Sequence, residues 1–126
     1  MGDLSKNFSR NEFACKCCGE AEVSPFLIEQ LQRLRDYTGE PVKITSGFRC
    51  AKHNAAVGGA TNSQHLRGLA ADIVVERWPA DDLLRLLRVL ARANALYVGY
   101  AYKISKNAVH FDVRQPESLT VASWRR

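Results

Sequence analysis

Apolar and polar positions along the chain change period several times, and each change marks an element. Ser9-Arg10-Asn11-Glu12 has the form of a capping box and predicts a short helix carrying Phe13. Ser24 as N-cap and Pro25 at the first helical position open a longer helix. In it Phe26, Ile28, Leu31, Leu34 and Tyr37 fall roughly on one face, and Gly39 ends it. Pro41 leads into a β-branched strand over 42–45. Cys50 to Val57 predicts a helical turn or two, stopped by Gly58-Gly59, and 58–63 is loop by composition. Residues 69–76 (LAADIVVE) read as a second strand whose continuous apolar character predicts burial on both faces. Pro79 and Asp81 open a leucine-rich helix through Asn94. Two strands close the chain, 95–104 and 109–114, joined by the polar turn Ser105-Lys106-Asn107 as a β-hairpin. The pattern predicts an α+β fold: a small antiparallel sheet with helices packed mainly on one face.

Length adds a bound. At 126 residues the chain fits one domain over 1–126, large enough to bury a core and too small for two. With 46% hydrophobic and 25% charged residues the composition is that of a globular protein, which excludes a disordered chain, a coiled coil or a fibre. Net charge is +5 and the pI about 9.2, which suits an acidic partner such as nucleic acid, an anionic membrane surface or peptidoglycan with its free carboxylates. The arginines are dispersed (Arg33, Arg35, Arg85, Arg88, Arg92, Arg125, Arg126), so the excess also reads as an ordinary solvated surface. The opening MGDLSKNFSRNEF has no apolar core of a secretory signal, and no apolar run approaches the ~18 residues of a membrane span. A chain made in the cytoplasm, with no membrane partner, is therefore expected.

Cys15, Cys17 and Cys18 crowd into CKCC, and Cys50 follows Arg49. Three readings stand side by side: a disulfide from the N-terminal segment to Cys50 in an oxidising compartment, buried free thiols, or a metal site. Of the pairs, only Cys15 and Cys18 have C-x2-C spacing.

The densest run of chemistry is Ser63-Gln64-His65-Leu66-Arg67-Gly68-Leu69-Ala70-Ala71-Asp72. Gly68 and the β-rich tail rule out one helical face for His65 and Asp72, so a loop histidine turning into a strand that carries the aspartate is expected. In the last strand, alternation puts Val109, Phe111 and Val113 on one face and His110, Asp112 and Arg114 on the other. That polar face reads either as a solvent-exposed side or as a site lined by a histidine and a carboxylate.

Taken together, SGFRC (46–50), HNAAVGG (53–59), SQHLRGLAAD (63–72) and VHFDVR (109–114) resemble the zinc D-alanyl-D-alanine carboxypeptidases of the M15 class, and LSKNFSRNEFACKCCG extends the likeness to nearly the whole chain. The fold of that family is shared with the hedgehog signalling domain. The resemblance implies a single catalytic zinc on His65, Asp72 and His110, two imidazoles and a carboxylate that leave a fourth position for water. It implies that Arg49 holds a substrate carboxylate or the oxyanion, a structural salt bridge being the alternative. Ser63 matches a substrate-contacting position and could equally cap the local turn, while His53 and Asn54 are expected to organise the loop. The chain departs from the pattern in one respect. Several relatives carry an acid a few residues before the third ligand, and 102–109 holds none. Asp112 is the substitute, either as general base or as an acceptor that fixes an imidazole tautomer.

The resemblance thus implies a monomeric zinc metallopeptidase acting on peptidoglycan stem peptides, of D-Ala-D-Ala carboxypeptidase or L-Ala-D-Glu endopeptidase type. Without a secretory signal it fits a phage or prophage lysis protein that reaches the wall by assisted export. A degenerate module that keeps zinc and only binds is the alternative. A nucleic-acid binder is disfavoured, because no basic stripe interleaved with aromatics and no recognition helix stands out.

Overall fold

A computed structural model describes residues 3–59 and 63–114. Helix α1 (Pro25–Thr38) begins where Ser24 Oγ accepts the Phe26 N–H at 3.1 Å, and it stops at Gly39. Strand β1 (Val42–Ser46) and the short helix α2 (Ala51–Ala56) follow. Next come a 3-10 turn (Gln64–Arg67), strand β2 (Ala70–Val75), helix α3 (Ala80–Arg92), and the hairpin strands β3 (Tyr100–Lys103) and β4 (Val109–Asp112). An earlier 3-10 turn, Arg10–Phe13, is closed by the Glu12 carboxylate accepting the Ser9 N–H at 2.8 Å. The four strands form one sheet in the order β1-β2-β4-β3, with every pair antiparallel. The α+β class and the antiparallel sheet expected from the sequence are present.

Alternation divides the sheet into two chemically different faces. Ala71, Ile73 and Val75 of β2, Ala101 of β3, and Val109, Phe111 and Val113 point into one apolar cluster with Leu27, Leu31 and Leu34 of α1 and Leu83, Leu87 and Leu90 of α3. Each buried valine, leucine, isoleucine or phenylalanine among them contributes about 1.5–3 kcal/mol, so this face is a main source of the domain's stability. The opposite face carries a polar row. Register pairs Ser46 with Asp72, Asp72 with His110 and His110 with Tyr102, so four neighbouring strands present these side chains side by side.

The structure corrects several expectations. Phe26 and Tyr37 are exposed, because eleven residues is about three turns and puts both on the flank of α1. Leu27 and Gln30 are buried instead, and Gln30 Oε1 accepts the Tyr97 N–H at 2.8 Å. Residues 95–99 are not strand. The Ala95 N–H closes on Leu90 O at 2.9 Å and the Tyr97 N–H is taken by Gln30, which leaves the ladder to start at Tyr100. Strand β2 is not buried on both faces, since Asp72 and Val74 lie half-open on the side of the polar row. The loop expected over 58–63 falls partly, at 60–62, outside the described residues, as do Arg125 and Arg126.

Gly47 lets the N-terminal segment cross the end of β1. A Cβ there would stand 2.6 Å from Phe13 Cα and 2.8 Å from Phe13 O, both backbone atoms that cannot rotate away. The crossing is held by the Phe48 N–H donating to Phe13 O at 2.8 Å. Gly47→Ala is therefore expected to cost about 1–3 kcal/mol of stability by overpacking. Denaturant unfolding of the two proteins measures it, and an unchanged midpoint would show that the segment moves freely.

Candidate metal centre

Three elements bring His65, Asp72 and His110 together. The 3-10 turn carries His65, and Ser63 caps it, its Oγ accepting the His65 N–H at 3.1 Å. Strands β2 and β4 carry Asp72 and His110 as directly opposed cross-strand partners. One ligand-type atom from each of the three residues lies within 4.8 Å of the others. Asp72 Oδ1 sits 3.1 Å from His65 Nε2 and 3.1 Å from His110 Nδ1.

The surroundings fix both tautomers. His65 Nδ1 lies 2.7 Å from Gly47 O, and a carbonyl only accepts, so Nδ1 carries the proton and Nε2 presents its lone pair. His110 Nε2 lies 2.8 Å from Asp112 Oδ2, so Nε2–H donates to the carboxylate and Nδ1 is left as the lone-pair atom. Two lone pairs and a carboxylate oxygen therefore face one another. Such an arrangement repels unless a proton or a cation lies between the acceptors. The charge state responds accordingly. Burial alone would lower the His110 pKa, but hydrogen bonds to Asp112 and Asp72 raise it above the usual imidazole value. Burial likewise opposes ionisation of Asp72, yet His110 and His65 hold its carboxyl well below the normal range.

A second layer of contacts braces the three. Asp112 is fully buried. Its oxygens accept from His110 Nε2, from Arg114 Nε at 3.0 and 3.1 Å, from Arg114 Nη2 at 2.7 Å and from the Arg114 backbone N–H at 3.2 Å. Asp112 is thus on the opposite ring edge of His110 from Asp72. Arg49 Nη2 lies 3.5 Å from Asp72 Oδ2, while its Nη1 donates to Asn54 Oδ1 at 3.1 Å and its Nε to Ser46 Oγ at 3.4 Å. The salt bridge considered for Arg49 is present, and its partner is Asp72. The Tyr102 ring stacks on His110, with centroids 4.6 Å apart and planes 10° from parallel. The His53 backbone N–H donates to Cys50 Sγ, and the buried Asn54 holds Arg49, so this short helix organises the loop as expected.

Sequence reasoning missed Tyr102, Gly47 and the pairing of Arg114 with Asp112. The turn centred on Lys106 already implied that 102 opposes 110, so the stacking partner was available from hairpin register. The Gly47 carbonyl left no such signal, because any residue offers one.

The chain is 44% identical over 45 residues to the zinc D-Ala-D-Ala carboxypeptidase of Streptomyces albus G. That stretch is 35% of this chain and 18% of the relative's length. The fold is similar to the crystal structure of the L-Ala D-Glu endopeptidase ChiX of Serratia marcescens, with TM-score 0.52 and 23% identity, covering 73% of this chain and 80% of that one. The family described as Peptidase M15 matches residues 6–112, a span that includes both histidines and both aspartates of the centre. The chain belongs to the M15 peptidase family.

Proposed function

We propose that the chain is a zinc metallopeptidase that hydrolyses peptide bonds in peptidoglycan stem peptides. The observation carrying this reading is the convergence of His65 Nε2, His110 Nδ1 and Asp72 Oδ1 with both imidazole tautomers set so that lone pairs face inward. Two neutral imidazoles and a carboxylate are the donor set of a catalytic zinc that keeps a position open. The residues present therefore fit the ion. Zinc held there supplies Lewis-acid polarisation of a scissile carbonyl and activation of water as nucleophile. The names of the two relatives, a carboxypeptidase for D-Ala-D-Ala and an endopeptidase for L-Ala-D-Glu, support wall peptides as the substrate class.

In this reading Asp112 is a positioning residue. Its carboxylate is spent on His110 and Arg114, which aims His110 Nδ1 and places Asp112 behind the ring rather than beside the substrate. Arg49 keeps N–H groups beyond its contacts to Ser46, Asn54 and Asp72, since a guanidinium has five. Those groups are assigned to a substrate carboxylate or the developing oxyanion. Ser63 accepts from His65 and so retains its own hydroxyl hydrogen for a substrate contact. The enzyme acts as a monomer on the wall, outside the cytoplasm. Among the described residues no helix is long and apolar enough to cross a membrane.

Arg49→Lys is expected to lower kcat/KM about 10–100-fold, the equivalent of ~1.5–3 kcal/mol for a charged hydrogen bond, mostly through KM and with zinc content unchanged. Loss of zinc with an unchanged KM for the loaded protein would make Arg49 solely a brace for Asp72.

A second reading, a module that keeps zinc and only binds wall peptides, is favoured by one observation. Both carboxylates of the centre, Asp72 and Asp112, are already engaged by histidine and arginine. Purified muropeptides incubated with the zinc-loaded and the chelated protein, followed by mass spectrometry, separate the two. New fragments from the loaded protein alone are expected. Intact zinc binding with no fragment would sink the enzyme.

A further inference from the structure

A second cluster of ligand-type side chains lies away from the histidine centre. The segment after Phe13 turns sharply: the Cys15 N–H donates to Glu20 O at 2.6 Å, the Gly19 N–H donates to Cys15 O at 2.8 Å, and Gly19 takes the left-handed φ of 81° that closes the turn. The Cys50 backbone N–H donates to the Cys15 sulfur at 3.5 Å. Cys50 is the N-cap of α2, and its own Sγ accepts the His53 N–H at 3.4 Å. The sulfurs of Cys15, Cys18 and Cys50 all lie within 4.8 Å of one another.

We propose that Cys15, Cys18 and Cys50 form a structural zinc site separate from the histidine centre. Two sulfurs each about 2.3 Å from a tetrahedral zinc stand about 3.8 Å apart. Cys15 Sγ and Cys50 Sγ are 3.7 Å apart, far beyond the ~2.05 Å of a disulfide. An N–H aimed at sulfur stabilises thiolate over thiol, and Cys15 receives that of Cys50. Crowded thiolates resist further ionisation, and a divalent cation removes that resistance. A disulfide would join two of the three clustered sulfurs and leave the third out, whereas one ion engages all three, both ends of the C-x2-C turn included. Its effect is mechanical: it ties the N-terminal segment to the loop that carries Gly47 and Arg49, both of which touch the histidine centre.

The test uses the full chain carrying His65→Ala and His110→Ala together, purified under reducing conditions without chelator. About one zinc per chain is expected to remain. Exchange with cobalt should give sulfur-to-metal charge-transfer absorption and the visible bands of a tetrahedral ion. Adding Cys50→Ser, or Cys18→Ser at an exposed position that spares the core, should remove the metal while circular dichroism reports whether the fold survives. Cys17→Ser, outside the clustered sulfurs, should leave the metal and the charge-transfer band in place, and their loss would overturn the three-cysteine assignment. A zinc-free double-histidine variant without cobalt bands would overturn the site. So would a Cys15–Cys50 disulfide found by mass spectrometry after alkylation at lysis. None of these readouts depends on peptidase activity, so loss of the peptidase reading would leave them intact.

Discussion

His65→Ala and His110→Ala are each expected to abolish cleavage of wall peptides and to lose the zinc of the histidine centre. Charge stabilisation by a catalytic metal is worth several kcal/mol, and at about 1.4 kcal/mol per tenfold its loss is a fall of roughly 10³-fold or more in kcat. The two variants should differ in stability. His65→Ala strips the Gly47 carbonyl of its donor at a buried position, a cost of about 1–3 kcal/mol. His110→Ala removes the partner of a fully buried carboxylate, but Arg114 still forks that carboxylate and limits the damage. Zinc content by elemental analysis, read beside a muropeptide assay and thermal unfolding, checks all of this. Full cleavage with zinc gone from the centre would overturn the assignment of the metal to these residues.

How much of this was legible in the sequence depends on how local each signal is. Ser24, Pro25 and Gly39 act within a few residues of themselves, and the helix they bound is where they predict it. The hairpin follows from its turn, and strand alternation correctly put His110 and Asp112 on one face and Val109, Phe111 and Val113 on the other. The readings that failed depend on distant partners. Residues 95–99 look like strand until Leu90 and Gln30 take their backbone groups. The strand carrying Asp72 looks buried on both sides because its run is continuously apolar, and only its place in the sheet puts Asp72 and Val74 on the half-open face.

The site divides in the same way. Each histidine was visible as a residue type, but which ring nitrogen faces inward is set by Gly47 and Asp112, through contacts that span up to 18 residues of sequence. Arg49 shows the limit more sharply. Its residue type suits a substrate carboxylate, and the fold gives it Asp72, Asn54 and Ser46 as well. Sequence narrows the chemistry of such a group, while packing decides how many of its donors are already committed.

Asp112→Asn should produce the largest effect of any substitution outside the three metal-facing residues. The side chain keeps its shape, but an amide offers donors where the carboxylate offered only acceptors. Its NH2 must face either His110 Nε2–H or the Arg114 fork, and both already donate. Breaking a buried charge pair by neutralising one partner costs about 3–5 kcal/mol, and the lower end applies because the Arg114 side chain is 36% exposed and can turn to water. Released from its acceptor, His110 no longer has a fixed tautomer, so zinc affinity should fall roughly 10–100-fold. The pH dependence distinguishes this from simple misfolding. Burial would raise the Asp112 pKa, but hydrogen bonds from His110 and Arg114 hold it below its unfolded value. The unfolded chain therefore takes up this proton first. The stability Asp112 contributes is fully present above its unfolded pKa of about 3.9, and it is lost as pH falls through the lower folded value. The parent protein should show an acid limb below pH ~4 that is shallower in Asp112→Asn. Denaturant midpoints of both proteins between neutral and acid pH measure the difference. Parallel acid limbs, with zinc affinity unchanged, would mean that Asp112 neither stabilises the fold through its charge nor aims His110.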